Sequence, residues 1–154
     1  MRTTVAAFFL LIAGSAFAGE SKISEAEVPK AVLDGVAKKY PAAKKTGFER
    51  EVEKGKTVFE VKLLNGGHKI DVDVSPEGTI LEEEEEIAFD AAPAAVKAAL
   101  ASSSKYAKWT VKRAERVVTA GNHAEPHFEI VVTSGKNKAE LVFSTDGKLL
   151  RTEE

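Results

Sequence analysis

His123 and His127 stand four residues apart, a spacing that on a helix would turn both imidazoles toward one metal ion. No helix is predicted to carry them, because Gly121, Asn122 and Pro126 make this stretch a loop entering a strand. No H-E-x-x-H pattern surrounds them and no third ligand converges, so two surface histidines without metal is the favoured reading. Ser102-Ser103-Ser104 supplies hydroxyls, yet no G-x-S-x-G turn presents one as a nucleophile, and a polar helix end explains the cluster. Gly66 and Gly67 lack the strand–loop–helix context and the following lysine of a phosphate-binding loop, and His68 is an exposed turn residue.

Carboxylates are the most abundant reactive groups. Five glutamates run from Glu82 to Glu86. They read as the solvated end of a strand leading into a linker, with alternate side chains on opposite, wet sides. A calcium site or an acidic docking patch is the sharper alternative. Calcium needs oxygens converging from a looped backbone, and no glycine turns the chain here. Carboxylates paired on a solvated strand face have neither a cleft nor a reason for a shifted pKa. No catalytic constellation emerges. No cofactor or metal site is expected, and the chain reads as a non-enzyme.

The elements that position these groups are clearest from Thr57 to Leu81. Phe59, Val61 and Leu63 alternate with Glu60 and Lys62, and Ile70, Val72 and Val74 alternate with Lys69, Asp71 and Asp73. This period of two puts the apolar set on one sheet face and the charged set on the other. Asn65-Gly66-Gly67 is a hairpin turn, and Pro76-Glu77-Gly78 turns the chain into a third strand, Thr79-Ile80-Leu81. Upstream, Phe48–Val52 is a strand. Val28, Val32, Leu33, Val36 and Tyr40 form one face of a helix starting near Val28-Pro29 and ending at Pro41. Gly35 costs that helix about 1 kcal/mol relative to alanine, so packing must hold it. Glu20–Glu27 is a polar, mobile lead-in, although Ser24 with Glu27 fits a capping box.

The same phrase returns. Pro93, Val96 and Leu100 repeat the spacing of Pro29, Val32 and Val36, with Asp90 as the expected N-cap of a second helix. Trp109–Val118 is the counterpart of the first strand, with poorer alternation, and Trp109 is expected to pack beneath the second helix. Phe128–Val132, Ala139–Phe143 and Leu149-Leu150 follow. The offset between copies is 64 residues at Pro29/Pro93 and 69 at Phe59/Phe128. The extra length falls around residues 120–126. The expected fold is α+β: a tandem repeat of one helix plus a four-stranded antiparallel meander, with helices packed on one face of the sheet or sheets.

The first eighteen residues of the 154 form a separate segment. Arg2, the apolar run Val5–Ala13 and Ala16-Phe17-Ala18 make a secretory signal peptide with cleavage after Ala18. The run is too short to span a membrane, which takes about 20 residues. The expected organisation is therefore 1–18 signal peptide, 19–89 first repeat and 90–154 second repeat, in the periplasm or secreted. Removing Arg2 leaves 21 of the 22 basic residues against 24 acidic ones. No basic stripe marks a nucleic-acid footprint. The chain has no cysteine, which excludes disulfides and thiolate metal sites and leaves stability to an ordinary core.

Val28-Pro29-Lys30-Ala31-Val32, Lys39-Tyr40-Pro41, Phe59–Leu63 and Val74–Leu81 together resemble the PepSY-like domains, also described as β-lactamase-inhibitor-like. Ala92–Val96, Phe128-Glu129-Ile130 and Phe143–Leu150 resemble them more loosely. The resemblance implies an exported, non-enzymatic binding domain, linked with restraint of peptidases and gripping another protein with its sheet. It rests on apolar and turn residues, so it speaks for fold more than for activity. The chain departs from the inhibitor in having no cysteine and in matching none of its inhibitory contact residues, so inhibition of a β-lactamase is not expected.

The partner-binding candidates are the charged sheet-face residues Glu60, Lys62, Asp71, Asp73, Glu129 and Glu140. The expected partner is a protein, a peptidase or another envelope component. The alternative is a calcium-responsive acidic module built on Glu82–Glu86.

Overall fold

The computed structural model describes residues 21–53, 55–121 and 125–154. The expected signal peptide and His123 lie outside the described residues. The elements in chain order are β1 (Ser21–Lys22), α1 (Lys30–Lys39), β2 (Lys44–Glu53), β3 (Lys56–Asn65), β4 (His68–Val74), β5 (Ile80–Glu86), α2 (Ala94–Ser102), β6 (Thr110–Thr119), β7 (His127–Ser134), β8 (Asn137–Ser144) and β9 (Leu149–Glu153). The nine strands make one sheet in strict sequence order, and every neighbouring pair is antiparallel. The fold is α+β. No helix among the described residues is long and apolar enough to cross a membrane.

Turn chemistry sets the hairpins. Gly66 and Gly67 join β3 to β4 with φ of 60° and 92°, and Gly135 opens the β7–β8 turn with φ of 60°, values that glycine adopts without a Cβ penalty. In β3 and β4 the alternating set Phe59, Val61, Leu63, Ile70, Val72 and Val74 is buried. It packs with Val32 and Val36 of α1 in one core cluster. Val96 and Leu100 of α2 pack with Phe128, Ile130, Val132, Leu141 and Phe143 in a second. Both clusters lie on the same face of the sheet. Ile70 stands opposite Glu85, Glu85 opposite Arg116, and Arg116 opposite Phe128, and directly opposed residues point to the same side.

Both helices begin at a proline. Pro29 (φ −56°) and Pro93 (φ −52°) occupy the N-cap positions. The residue before each is extended, Val28 at ψ 131° and Ala92 at ψ 151°, because a following proline disfavours the helical region. For this reason Asp90 is not the N-cap of α2, contrary to expectation. It sits in a separate 3₁₀ turn, Phe89–Ala91, and the helix starts afresh after it. The Ser24–Glu27 pair likewise serves a 3₁₀ turn, with the Ser24 N–H donating to the Glu27 carboxylate at 2.8 Å. From Ser21 onward the lead-in is tied to β2 rather than mobile. Ser21 and Lys22 pair with Arg50 and Glu49, and the Ile23 N–H donates to the Phe48 carbonyl at 3.1 Å.

Gly35 is held as its cost requires. A Cβ there would collide with the carbonyl of Gly78, and a Cβ on Gly78 (φ 88°) would collide with the carbonyl of Ala31. The turn after β4 thus lies backbone-on-backbone against α1. Gly147 makes the same approach to Ala95 of α2.

The glutamate run corrects a second expectation. It is not a linker. Glu82–Glu85 pair with Asp73–Ile70 of β4 on one side and Glu82–Glu86 pair with Thr119–Glu115 of β6 on the other, so β5 is the central strand of a continuous sheet. A strand held on both edges has its backbone bonded to neighbouring strands, where a solvated linker's would be bonded to water. The poor alternation of β6 has a local cause, a register shift between Val111 and Arg113 in its pairing with β7. Trp109 is partly buried against the α2 cluster, as expected, and meets Tyr106 edge to face with centroids 5.1 Å apart.

Candidate functional site on the open sheet face

The face opposite the helices is built by the charged half of each strand's alternation. Glu60 of β3 stands opposite Glu49 of β2 and Asp73 of β4, and Lys62 stands opposite Asp71. Asp71 and Asp73 then face Glu84 and Glu82 of β5. Glu86 faces Glu115 of β6, which faces Glu129 of β7. Glu140 of β8 lies opposite Val131 and Glu153. The register therefore brings all six sequence candidates, Glu60, Lys62, Asp71, Asp73, Glu129 and Glu140, onto one surface. Neither helix packs on it.

Cations are few on this face. The Lys62 ammonium lies 2.8 Å from Glu60 and 3.3 Å from Glu49. Arg113 lies 3.2 Å from Glu115, and His127 3.4 Å from Glu129. Arg151 reaches Glu153 at 2.9 Å, Glu129 at 3.6 Å and Glu140 at 3.9 Å. Lys69 pairs with Glu86 at 3.0 Å. At the centre, Glu82 accepts the Thr119 hydroxyl at 2.6 Å. Among the described residues no hydrogen bond or ion pair reaches Asp73 or Glu84.

Like charges opposed across a ladder repel, and burial adds a desolvation cost to each charged form. Asp73, only 7% exposed, is pushed up to about 8 by burial and then by Glu60, Glu51, Glu82 and Asp71. Glu84 is pushed up to about 9 by burial and then by Glu115, Glu129, Glu82 and Asp73. Glu115 is pushed up to about 7, chiefly by burial, with Arg113 pulling the other way. Burial also raises Glu60, Asp71, Glu82 and Glu140. Burial pulls Lys62 down, but the Glu60 hydrogen bond and the charges of Glu60, Asp71 and Glu49 outweigh it and leave the ammonium above its ordinary range.

A shallow depression of about 180 Å³ opens over the junction of β4, β5 and β6, lined by Lys62, Asp71, Glu84, Glu86, Arg113 and Glu115 among others. Glu49, Glu51 and Glu60 bring carboxylate oxygens within 4.8 Å of one another, a grouping able to hold a metal ion. The other sequence candidates stay apart. The Ser102 hydroxyl donates back to the Ala99 carbonyl of its own helix at 3.1 Å, and Ser103 accepts the Tyr106 N–H at 3.1 Å. No nucleophile and base are brought together on this face.

Sequence reading missed Glu49, Glu51, Glu115 and Arg151 and offered Glu82 and Glu84 only within the Glu82–Glu86 alternative. The first two alternate with Phe48, Arg50 and Val52. That alternation was the available signal. Burial was not predictable, because it depends on neighbours one strand away.

The family model described as "Putative beta-lactamase-inhibitor-like, PepSY-like" matches residues 18–82 and again residues 80–151. No curated protein matches. Among solved structures, a BLIP-like protein from Bacteroides fragilis is 28% identical, with a TM-score of 0.65 over 81% of this chain and 85% of its own. A structure described as a "putative periplasmic protein" from Bacteroides eggerthii shares the fold at 22% identity and a TM-score of 0.71, over 82% of this chain and 88% of that one. A DUF2874 family protein from Bacteroides uniformis does so at 20% identity and a TM-score of 0.69, over 81% and 88%.

Proposed function

The chain belongs to the PepSY-like family, and from that membership we propose an exported, non-enzymatic binding protein whose open sheet face docks a protein partner. The chain is read as two copies of one helix-plus-four-strand unit, residues 19–89 and 90–154, sharing a sheet. Two successive family matches and the equivalent contacts Gly78–Ala31 and Gly147–Ala95 support this reading. Location in the periplasm, or secretion, is supported by the Ala16-Phe17-Ala18 cleavage pattern and by the description of the Bacteroides eggerthii relative. A peptidase or another cell-envelope protein is the class of partner the family suggests.

One observation carries the docking reading. Glu60, Lys62, Asp71, Asp73, Glu129 and Glu140 share a face on which neither helix packs. A photo-cross-linking amino acid at position 71, compared with one at Asp34 on α1, tests it in living cells. Protein adducts from position 71 and none from position 34 are expected. Adducts from neither, or equally from both, would remove the reading. A melting temperature that rises in millimolar calcium while position 71 stays silent would favour the cation-responsive alternative instead. The three carboxylates of Glu49, Glu51 and Glu60 are the group to mutate in that case.

A further inference from the structure

Resting on the docking reading, we propose that the partner presents an arginine- or lysine-rich segment to the carboxylate seam over β4–β7, with a cationic side chain seated beside Asp73 and Glu84. Charge complementarity supports it. The chain's own cations satisfy the flanks: Lys62 serves Glu49 and Glu60, and Arg151 serves Glu129, Glu140 and Glu153. At the centre Arg113 serves Glu115, and among the described residues no cation pairs with Asp73 or Glu84. Asp73 is 93% buried (7% exposed) without a hydrogen bond or ion pair among the described residues, and such a group costs free energy unless something outside the chain supplies a counter-charge. The charges acting most strongly on Asp73 and on Glu84 are all negative.

The shape of the charge favours a polypeptide over a lone ion. The acidic residues extend from Glu49 on β2 to Glu140 on β8, and strands spaced about 4.8 Å apart place those ends on the order of 30 Å from each other. The depression beside Glu84 is open from above, with Lys62, Lys69 and Arg113 on its lining beside Asp71, Glu86 and Glu115. Guanidinium groups match carboxylates with a planar fork of donors and are more weakly hydrated than ammonium, so they enter such a site at lower desolvation cost.

Proton release accompanies binding. The groups facing the seam are Glu60 and Lys62 of β3, Asp71 of β4, Glu82 and Glu86 of β5, Arg113 and Glu115 of β6, and His127 and Glu129 of β7. A cation among them favours the ionised carboxylates, so it displaces protons held on Asp73 and Glu84.

An octa-arginine peptide titrated into the mature chain, followed by amide NMR and calorimetry at pH 7 and pH 9, tests the proposal. Shifts concentrated on β4–β7 are expected, with protons released at pH 7 and tighter binding at pH 9. The double variant Asp73→Asn/Glu84→Gln, checked for folding by thermal melting, should lose about tenfold in affinity. The control Asp34→Asn/Asp90→Asn removes two exposed carboxylates outside the seam and should stay within about twofold. Equal weakening in both variants, shifts spread evenly over the chain, or calcium binding the seam more tightly than the peptide at matched ionic strength would each overturn it. If the peptide fails while a cross-linker at position 71 still captures a protein, the basic-partner inference falls and the docking reading stands. If both fail, both fall.

Discussion

Asp73 and Glu82 face each other across the β4–β5 ladder, 7% and 4% exposed, and among the described residues neither pairs with a cation. Two carboxyls so placed are hard to ionise together, and protons stay on the pair where an isolated pair would have released them.

The consequence for stability has a definite sign. Asp73, Glu84 and Glu115 have folded pKa values of about 8, 9 and 7, all above the ordinary carboxylate value of about 4 in an unfolded chain. Between those limits the folded state binds more protons, so these groups make stability fall as pH rises from about 4 toward 9, with their contribution complete below about 4. Asp73→Asn should flatten that slope and gain about 1–3 kcal/mol over the native chain at pH 9. Urea denaturation at a series of pH values measures it. A slope unchanged by the substitution would contradict the assignment.

The turn-to-helix contact gives a second outcome. Gly78→Ala must place a Cβ against the Ala31 carbonyl at φ 88°, and Gly35→Ala must place one against the Gly78 carbonyl. Although alanine is the better helix former, both variants should lose about 2 kcal/mol or more. Chemical denaturation decides it, and a gain from Gly35→Ala would show that the turn moves freely off the helix.

At its C-terminal end α1 is clipped to the central strand. The Tyr40 hydroxyl donates to Glu83, which also pairs with Lys39. Burial, followed by the Glu83 hydrogen bond, holds the phenol well above its ordinary range. Tyr40→Phe should cost about 0.5–1.5 kcal/mol. It should also speed hydrogen exchange in the last turn of α1 while leaving α2 unchanged, and exchange measured by NMR separates the two.

Leu63 and Leu141 are buried in different core clusters, one under each helix. Truncation to alanine should cost about 2–5 kcal/mol at either site. Because β5 and β6 pair along their length, each variant should still unfold in one transition by calorimetry. Two separated transitions in either would mean that the seam does not couple the halves.

Much of this was legible in the chain. The alternation Phe59-Glu60-Val61-Lys62-Leu63 specifies a strand, a buried side and a charged side at once, and Gly66-Gly67 specifies where it reverses. The glutamate run defeated the same logic, since five like residues carry no alternation. Their sidedness comes from the partners, Val72 against Glu83 and Asp73 against Glu82, which composition cannot supply. Asp90 misled for a local reason: a good capping residue two positions short of Ala92-Pro93 cannot cap a helix that the proline starts. The charged candidates were found by alternation, whereas the unpaired centre at Asp73 and Glu84 depends on which cations fall on which strands, a property of register.

Because the strands lie in the sheet in the order in which they occur in the chain, each new strand docks on an edge made by the one before it. Each ladder can therefore form once the later of its two strands is present, whereas α1 gains its contacts with Gly78 and Glu83 only after β4 and β5. Low-contact-order wiring of this kind shortens the time for which sticky edges stand open.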